Sequence, residues 1–227
     1  MPQLDVQQDT VQRTLLGPQI SDRIRHDILF GVIKPGTRLS QRELCEQFGT
    51  SRMPVRDALR SLMHEGLLVV DSGQHTVVAP LSRSDILDAY LIEGTLAGLA
   101  AKRASENATA DDLDRFQHLH ERMLSAEASA DHAAMAELNW ELHRDINRTA
   151  RSRKLIVALR IVSLELPRDF LEKLPDRVRQ SNSDHEVILG AMRSRRHESA
   201  GDLMRDHIMD AGRGMIEYLR SAGVALD

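Results

Sequence analysis

Three arginines, Arg52, Arg56 and Arg60, recur every four residues in TSRMPVRDALRSLMHEG, residues 50–66. Side chains at that spacing share one stripe of a helix. A row of guanidinium groups suits phosphate oxygens and the O6 and N7 edge of guanine. A second reactive set lies further on: His143 in NWELHRDI, with Asn139 one turn earlier on the same face, His185 in SDHEVILGAM and His207 in LMRDHIMDAG. Three imidazoles and an amide oxygen brought to one point form a donor set for a divalent ion. Three core histidines satisfied by hydrogen bonds are the other arrangement this spacing allows. His118, His120, His132 and His197 lie in polar stretches and read as surface residues.

The elements that must position the arginines come first in the chain. Residues 1–16 are polar and aperiodic and read as a mobile N-terminal arm. From Pro18, Ile20, Ile24 and Ile28 form one apolar helical stripe that ends near Gly31. KPGTRL then turns the chain. Ser40 with Glu43 is a capping box for a short helix with Leu44 and Phe48 inside and Gly49 as its stop. Ser51 caps the next helix, Pro54 is tolerated in its first turn, and Val55, Leu59 and Leu62 face inward up to Gly66. LLVVDSGQHTVVAP is two β-branched runs around a Ser-Gly turn, a hairpin signal. Three helices and a two-stranded wing over residues 17–80 make a winged helix-turn-helix. Its second helix of the pair would place Arg52 and Arg56 at base edges or phosphates in the major groove.

After the linker APLSRSDIL, where Ser82 and Asp85 cap a new helix, residues 81–227 are helical in period. Ile86, Tyr90 and Ala97 mark one helix, and Leu113, Phe116 and Met123 a second that opens on Thr109 and Asp112. Met135, Leu138, Leu142 and Ile146 mark a third, and Leu155, Leu159, Val162, Leu166 and Phe170 a fourth, broken at KLPDR. Two more run roughly over 181–195 and 198–220. Six helices with short loops make an antiparallel bundle, which builds its sites from inward side chains. The fold class is therefore mainly α.

Composition narrows the function. A 227-residue chain that is 41% hydrophobic supplies cores for two modest domains. No apolar run approaches the roughly 18 residues of a membrane span, and MPQLDVQQDT lacks the regions of a signal peptide, so the protein reads as cytoplasmic. A single cysteine, Cys45, excludes an internal disulfide framework and a multi-cysteine metal site. The net charge is −4, but residues 1–80 hold nine basic and nine acidic side chains, so the excess is all beyond them. Binding to a polyanion must then come from locally placed arginines and weaken with salt.

GVIKPGTRLSQRELCEQFGTSRMPVRDALRSLMHEGLL resembles the GntR family of bacterial transcription regulators, with its PG, L-x-x-x-E-L and SR-x-PVR-x-AL-x-x-L-x-x-EGL pattern. The later part resembles the all-helical FCD ligand-binding domain of the FadR subfamily: LHRDI matches F-H-x-x-L, DHEVILGAM matches H-x-x-I-x-x-A-I, and AGDLMRDHI matches A-x-x-x-M-x-x-H. The resemblance implies DNA contacts from Arg42, Ser51, Arg52, Arg56 and the wing tip at Ser72 and Gly73. It also implies a divalent ion (zinc, nickel or manganese) on Asn139, His143, His185 and His207, where many members have Asp in the first position. Neutral Asn139 should weaken the ion or leave part of its shell to an effector. Gln74 and His75 replace the Arg and Gly common in the family's wing, and Ala89 replaces the Arg that usually meets a carboxylate effector.

The function expected is a homodimeric DNA-binding regulator, repressor or activator, on a pseudo-palindromic operator. Its grip would be shifted by a small metabolite, an organic acid on the ion being the leading class. Two rivals stand beside it: a metal-dependent hydrolase or lyase using the three histidines, and a DNA-binding scaffold without a ligand.

Overall fold

The computed structural model describes residues 7–29, 31–80, 82–163, 174–221, 223, 224 and 226, with side chains from Leu16 onward apart from Pro175. Leu166 and Phe170, expected to extend the fourth bundle helix, lie outside the described residues. The chain divides into two compact units, Met1–Ser82 with Leu219–Asp227, and Arg83–Tyr218.

In the first unit, α1 (Gln7–Leu29), α2 (Gln41–Phe48) and α3 (Arg52–His64) precede the antiparallel pair β1 (Leu68–Val70) and β2 (Thr76–Val78). Ile20, Ile24 and Ile28 are buried as their spacing predicts, and α1 packs on α3 through Val55, Leu59 and Leu62. The helix begins at Gln7, so residues 7–16 open α1 where an aperiodic arm was expected. Pro18 removes one backbone donor but holds φ near the helical value. Packing of the following turns against α3, where Ile20, Ile24 and Ile28 are buried, offsets that loss.

The link between α2 and α3 is tight. Ser40 accepts from the Glu43 amide, and Gly49 closes α2 at φ 59°, a left-handed value that costs a side chain free energy. Ser51 sits at the N-cap of α3 without making a side-chain capping bond, although its type predicts one.

A buried ion pair fastens the same helix at its other end. Arg25 of α1, 4% exposed, makes a two-pronged contact to Glu65 at 2.8 and 3.0 Å and a third to Asp22 at 2.6 Å. Burial alone would lower the Arg25 pKa, but the bonds from Glu65 and Asp22 outweigh it and the net shift is upward. The pair therefore ties α1 to the end of α3 and fixes the angle at which α3 is presented.

The second unit is built from α4 (Arg83–Asn107), α5 (Ala110–Ala128), α6 (His132–Thr149), α7 (Arg153–Val162), α8 (Pro175–Arg193) and α9 (His197–Ser221). Its core joins Phe116 and Met123 of α5, Leu142 and Ile146 of α6, Ile188 and Met192 of α8 and the alanines of α4. Thr109 and Asp112 complete a reciprocal capping box at the start of α5. α8 starts at Pro175, six residues before the expected 181, because a proline at a helix's first position gives up a donor that would be unpaired there anyway. α4 and α9 approach backbone to backbone: a Cβ on Gly98 would stand 2.7 Å from the Gly201 carbonyl oxygen, and one on Gly201 2.9 Å from that of Gly98.

Candidate nucleic-acid interface and candidate metal centre

Burial divides α3 into two faces. Val55, Ala58, Leu59 and Leu62 face the core, while Arg52, Arg56 and Arg60 are all exposed. Arg56 lies 3.9 Å from the Asp57 carboxylate, and both side chains are more than half exposed, so the contact is weak. Arg42 of α2 is also exposed and within 3.3 Å of Glu46. Three guanidinium groups are thus held by α3 and a fourth by α2, all exposed as a contact with phosphates or base edges would require.

At the wing, Ser72 and Gly73 are exposed in the turn between β1 and β2. Gln74, at φ 61°, takes the left-handed conformation that a Ser-Gly turn would assign to the glycine. Asp71 accepts the His75 amide at 2.8 Å and lies 3.3 Å from its ring Nδ1, which turns the imidazole back on the hairpin. Two oxygens of one carboxylate holding residue 75 account for this turn, a local pairing that residue types alone do not reveal.

The histidines present the opposite chemistry. His143 on α6, His185 on α8 and His207 on α9 bring one ring nitrogen each to within 4.8 Å of one another. His143 Nε2 and His185 Nε2 are 3.0 Å apart, against the roughly 3.4 Å expected between two nitrogens on one tetrahedral ion. Burial, then the charge of His207, pushes the His143 pKa down to about 3; burial and the neighbouring histidines push His185 well below its ordinary value. Both rings are therefore neutral at neutral pH, the form that offers a lone pair to a cation.

Asn139 lies one turn before His143 on α6, and its Oδ1 is buried with no hydrogen-bond partner. His185 Nδ1 is buried and unpartnered too. Buried polar atoms without partners are costly. The orphaned amide oxygen one helical turn from His143 is consistent with a donor set of three nitrogens and one oxygen. These residues fit a divalent ion.

Two residues of this region escaped the sequence reading. Asp184 Oδ2 lies 3.0 Å from His207 Nδ1; an ionised carboxylate only accepts, so the imidazole Nδ1–H donates to it. Burial alone would raise the Asp184 carboxyl, but the bonds from His207 and Gln180 outweigh it and hold it below the usual range. Asp184 directly precedes His185 in sequence, yet it serves the histidine of another helix. His120, expected at the surface, is only 2% exposed. Its Nε2 donates to the Asn182 carbonyl at 3.0 Å, and its ring stands 6.4 Å from that of His185. The neighbours of His120 on α5, Leu119 and Met123, are core residues, which was the available signal.

Glu186 and Asp206, which adjoin the site histidines in sequence, are exposed, and Asp206 pairs with Arg205. Ala89 is on α4 one turn before Glu93. Tyr90 beside it is 4% exposed, with a hydroxyl that has no partner and a pKa raised by burial and by Glu93. Arg177 of α8 lies against Gly214, and its charge is felt at both Tyr90 and Asp184.

Residues 16–78 match the family of bacterial regulatory proteins, gntR family, and residues 88–210 match the FCD domain. The chain is 28% identical over 152 residues to an uncharacterized HTH-type transcriptional regulator of Mycobacterium tuberculosis, covering 67% of this chain and 61% of that one. It is 31% identical over 121 residues to the HTH-type transcriptional regulator McbR of Escherichia coli, covering 53% and 55%. A probable D-xylose utilization operon transcriptional repressor of Paenarthrobacter nicotinovorans is 28% identical over 163 residues, 72% of each chain. The alignments to the first two of these span about three fifths of the relatives' length or less. The solved structure of E. coli McbR superposes with a TM-score of 0.65 at 23% identity, covering 89% of this chain and 97% of that one, which shows the shared fold.

Proposed function

The chain belongs to the gntR family of bacterial regulatory proteins with an FCD domain, whose members are transcriptional regulators and not enzymes, and from that premise we propose a DNA-binding regulator whose grip is set by a small anionic metabolite bound at an ion on His143, His185 and His207. Residues 17–80 take the DNA and residues 81–227 take the effector and the second protomer. The observation that carries this reading is the convergence of three imidazoles, two of them held neutral by burial, beside an unpartnered amide oxygen.

On the DNA side, Arg52 and Arg56 reach base edges or phosphates from the first turns of α3, and Arg42, Ser51, Ser72 and Gly73 contact the backbone around them. The uncommitted Ser51 hydroxyl and the exposed arginines support this assignment. In a two-fold dimer the two α3 helices read the halves of a pseudo-palindrome. No described helix is long and apolar enough to cross a membrane, consistent with a cytoplasmic regulator.

On the effector side, the ion would supply a fixed positive charge for carboxylate oxygens. His143, His185 and His207 would hold it with the Asn139 oxygen, and Asp184 fixes the His207 tautomer. Because Asn139 adds no charge, the site keeps more net positive charge than an Asp-containing one, which favours an anionic ligand. Ala89 offers no charge, and Arg177 supplies one from another helix instead. The effector acts by binding one arrangement of the DNA-binding units better than the other, so its differential affinity sets the response.

The test is anisotropy of a labelled operator duplex titrated with small carboxylates, with and without zinc, nickel or manganese. The proposal expects at least one acid to change operator affinity by about fivefold or more in an ion-dependent way. Operator binding indifferent to every acid and ion would leave a DNA-binding scaffold and remove the sensor. Asn139→Asp is expected to tighten the ion by about tenfold, since it adds a charged ligand; isothermal titration reads this directly.

A further inference from the structure

Among the described residues, two buried polar atoms without a hydrogen-bond partner stand one turn apart on α8: Asn182 Oδ1 and His185 Nδ1. Residues three apart share a helix face, and each such atom is costly to leave unpaired. The Asn182 amide is fixed in one sense by its neighbours. Its Nδ2 donates to the Glu127 carboxylate and lies 3.9 Å from Met135 Sδ, so Oδ1 is the free end. The backbone beside it is held too: the Asn182 carbonyl accepts from His120 Nε2 at 3.0 Å. The His120 ring stands 6.4 Å from that of His185, and Asn182, His120 and His185 are all buried. One α5 side chain thus borders Asn182 and His185 alike, which puts the two orphaned atoms in one buried region.

We infer that Asn182 is the residue that positions His185 for the ion, its Oδ1 accepting from His185 Nδ1–H when Nε2 takes the metal. This rests on the ion in the functional reading above and adds the group that sets the ring's tautomer and angle. His185 turns Nε2 toward His143 Nε2, 3.0 Å away. For that nitrogen to ligate it must offer its lone pair, and the ring proton then sits on Nδ1. A metal-bound imidazole nearly always donates this second proton to an oxygen, and loss of such a partner weakens the ion. His207 Nδ1 has Asp184 for this at 3.0 Å, whereas His185 Nδ1 has no partner among the described residues.

Two nitrogens on one tetrahedral ion stand roughly 3.4 Å apart, so seating a metal spreads the His143 and His185 rings by a few tenths of an ångström. That shift of the His185 ring is the motion that closes its bond to Asn182. Asn139 Oδ1 is the other orphaned acceptor of this kind. It lies on α6 one turn before His143, whereas Asn182 lies on the helix of His185 itself and is fixed from behind by Glu127. Asn139 is therefore left to the ion, and Asn182 to the ring.

The experiment uses the full chain and zinc alone, with two readouts: zinc affinity by competition with a chromogenic chelator, and the imidazole N–H region of the NMR spectrum of the zinc-loaded protein. The parent should show a slowly exchanging His185 Nδ1 proton. Asn182→Ala should bind zinc about 10–100-fold more weakly and lose that signal, while Asn139→Ala leaves the signal in place. Glu127→Gln combined with Asn182→Asp keeps the bond between the two side chains with donor and acceptor exchanged, and it offers His185 a carboxylate. This pair should bind zinc at least as tightly as the parent, and it carries the test if Asn182→Ala fails to fold.

Asn182→Ala protein that binds zinc like the parent, or an exchanged pair that binds it far more weakly than the parent, would overturn the role of Asn182 while the ion site stands. A His185 Nδ1 signal lost with Asn139→Ala and kept with Asn182→Ala would overturn it in favour of Asn139. A parent chain that takes up no zinc would take down the ion reading itself, and this inference with it.

Discussion

Helix α3 and the histidine cluster use basic side chains in opposite ways. On α3 the guanidinium groups of Arg52, Arg56 and Arg60 are exposed, always charged, and opposed by little. Around His185 three imidazoles cluster, His185 and His207 buried and His143 half-buried, close enough to share one cation. The first arrangement gives an affinity that rises as salt falls and places few demands on geometry. The second gains nothing from charge until an ion arrives, and then depends on tenths of an ångström. One chain thus carries an exposed row of guanidinium groups and a cluster of imidazoles on three other helices, and each can be altered without the other.

The largest expected effect is His185→Ala. Ion content should fall from about one equivalent to a small fraction, because two remaining imidazoles and a neutral amide are a poor set. Operator binding measured without effector should be unchanged. Next, Glu65→Ala should cost about 3 kcal/mol in urea unfolding, since it leaves Arg25 charged, buried and short of its two-pronged partner. Arg52→Ala should lose about 1–3 kcal/mol on the preferred operator and relax base choice at one position, as read by competition binding. Equal weakening on every sequence would make it a phosphate contact.

The smallest effect is at the start of α5. Thr109→Ala should cost about 1 kcal/mol. The Asp112 carboxyl is lowered from 3.8 to about 2 by the Thr109 backbone and hydroxyl bonds and by Arg115. A lowered pKa contributes stability that is present above the unfolded value and lost as pH falls through the folded one. Alanine keeps the Thr109 backbone bond and loses the hydroxyl bond to Asp112, so the difference between parent and Thr109→Ala should shrink in part as pH falls below 4 toward about 2. A difference that stays constant over that range would place the cap's contribution in the neutral threonine bond.

Where a structural feature depends on near neighbours, its residues announced it. The spacing of Ile20, Ile24 and Ile28 marked a buried stripe, and Thr109 with Asp112 marked a full capping box. The faces of α3 followed from Val55, Leu59 and Leu62. Features decided by distant packing were hidden. Pro18 reads as a boundary, yet packing on α3 carries the helix through it. Pro175 reads as a break, yet it is the first residue of α8. His120 reads as polar surface, yet α5 turns it inward onto a carbonyl of α8. Asp184 was invisible because its partner, His207, lies on another helix. The histidines themselves were legible as types and spacing, but their convergence is a property of three helices and no single stretch encodes it.

The most direct test of the proposed ion site is the ion content of protein purified without an affinity tag or chelator, together with its melting temperature before and after EDTA. About one equivalent of a divalent ion, removed by EDTA with a fall in melting temperature, is the expected result, because an ion bound only by the folded chain stabilises it. Protein that carries no ion, takes none up from added zinc, nickel or manganese, and melts at the same temperature with EDTA would contradict it, and would leave His143, His185 and His207 as a hydrogen-bonded core.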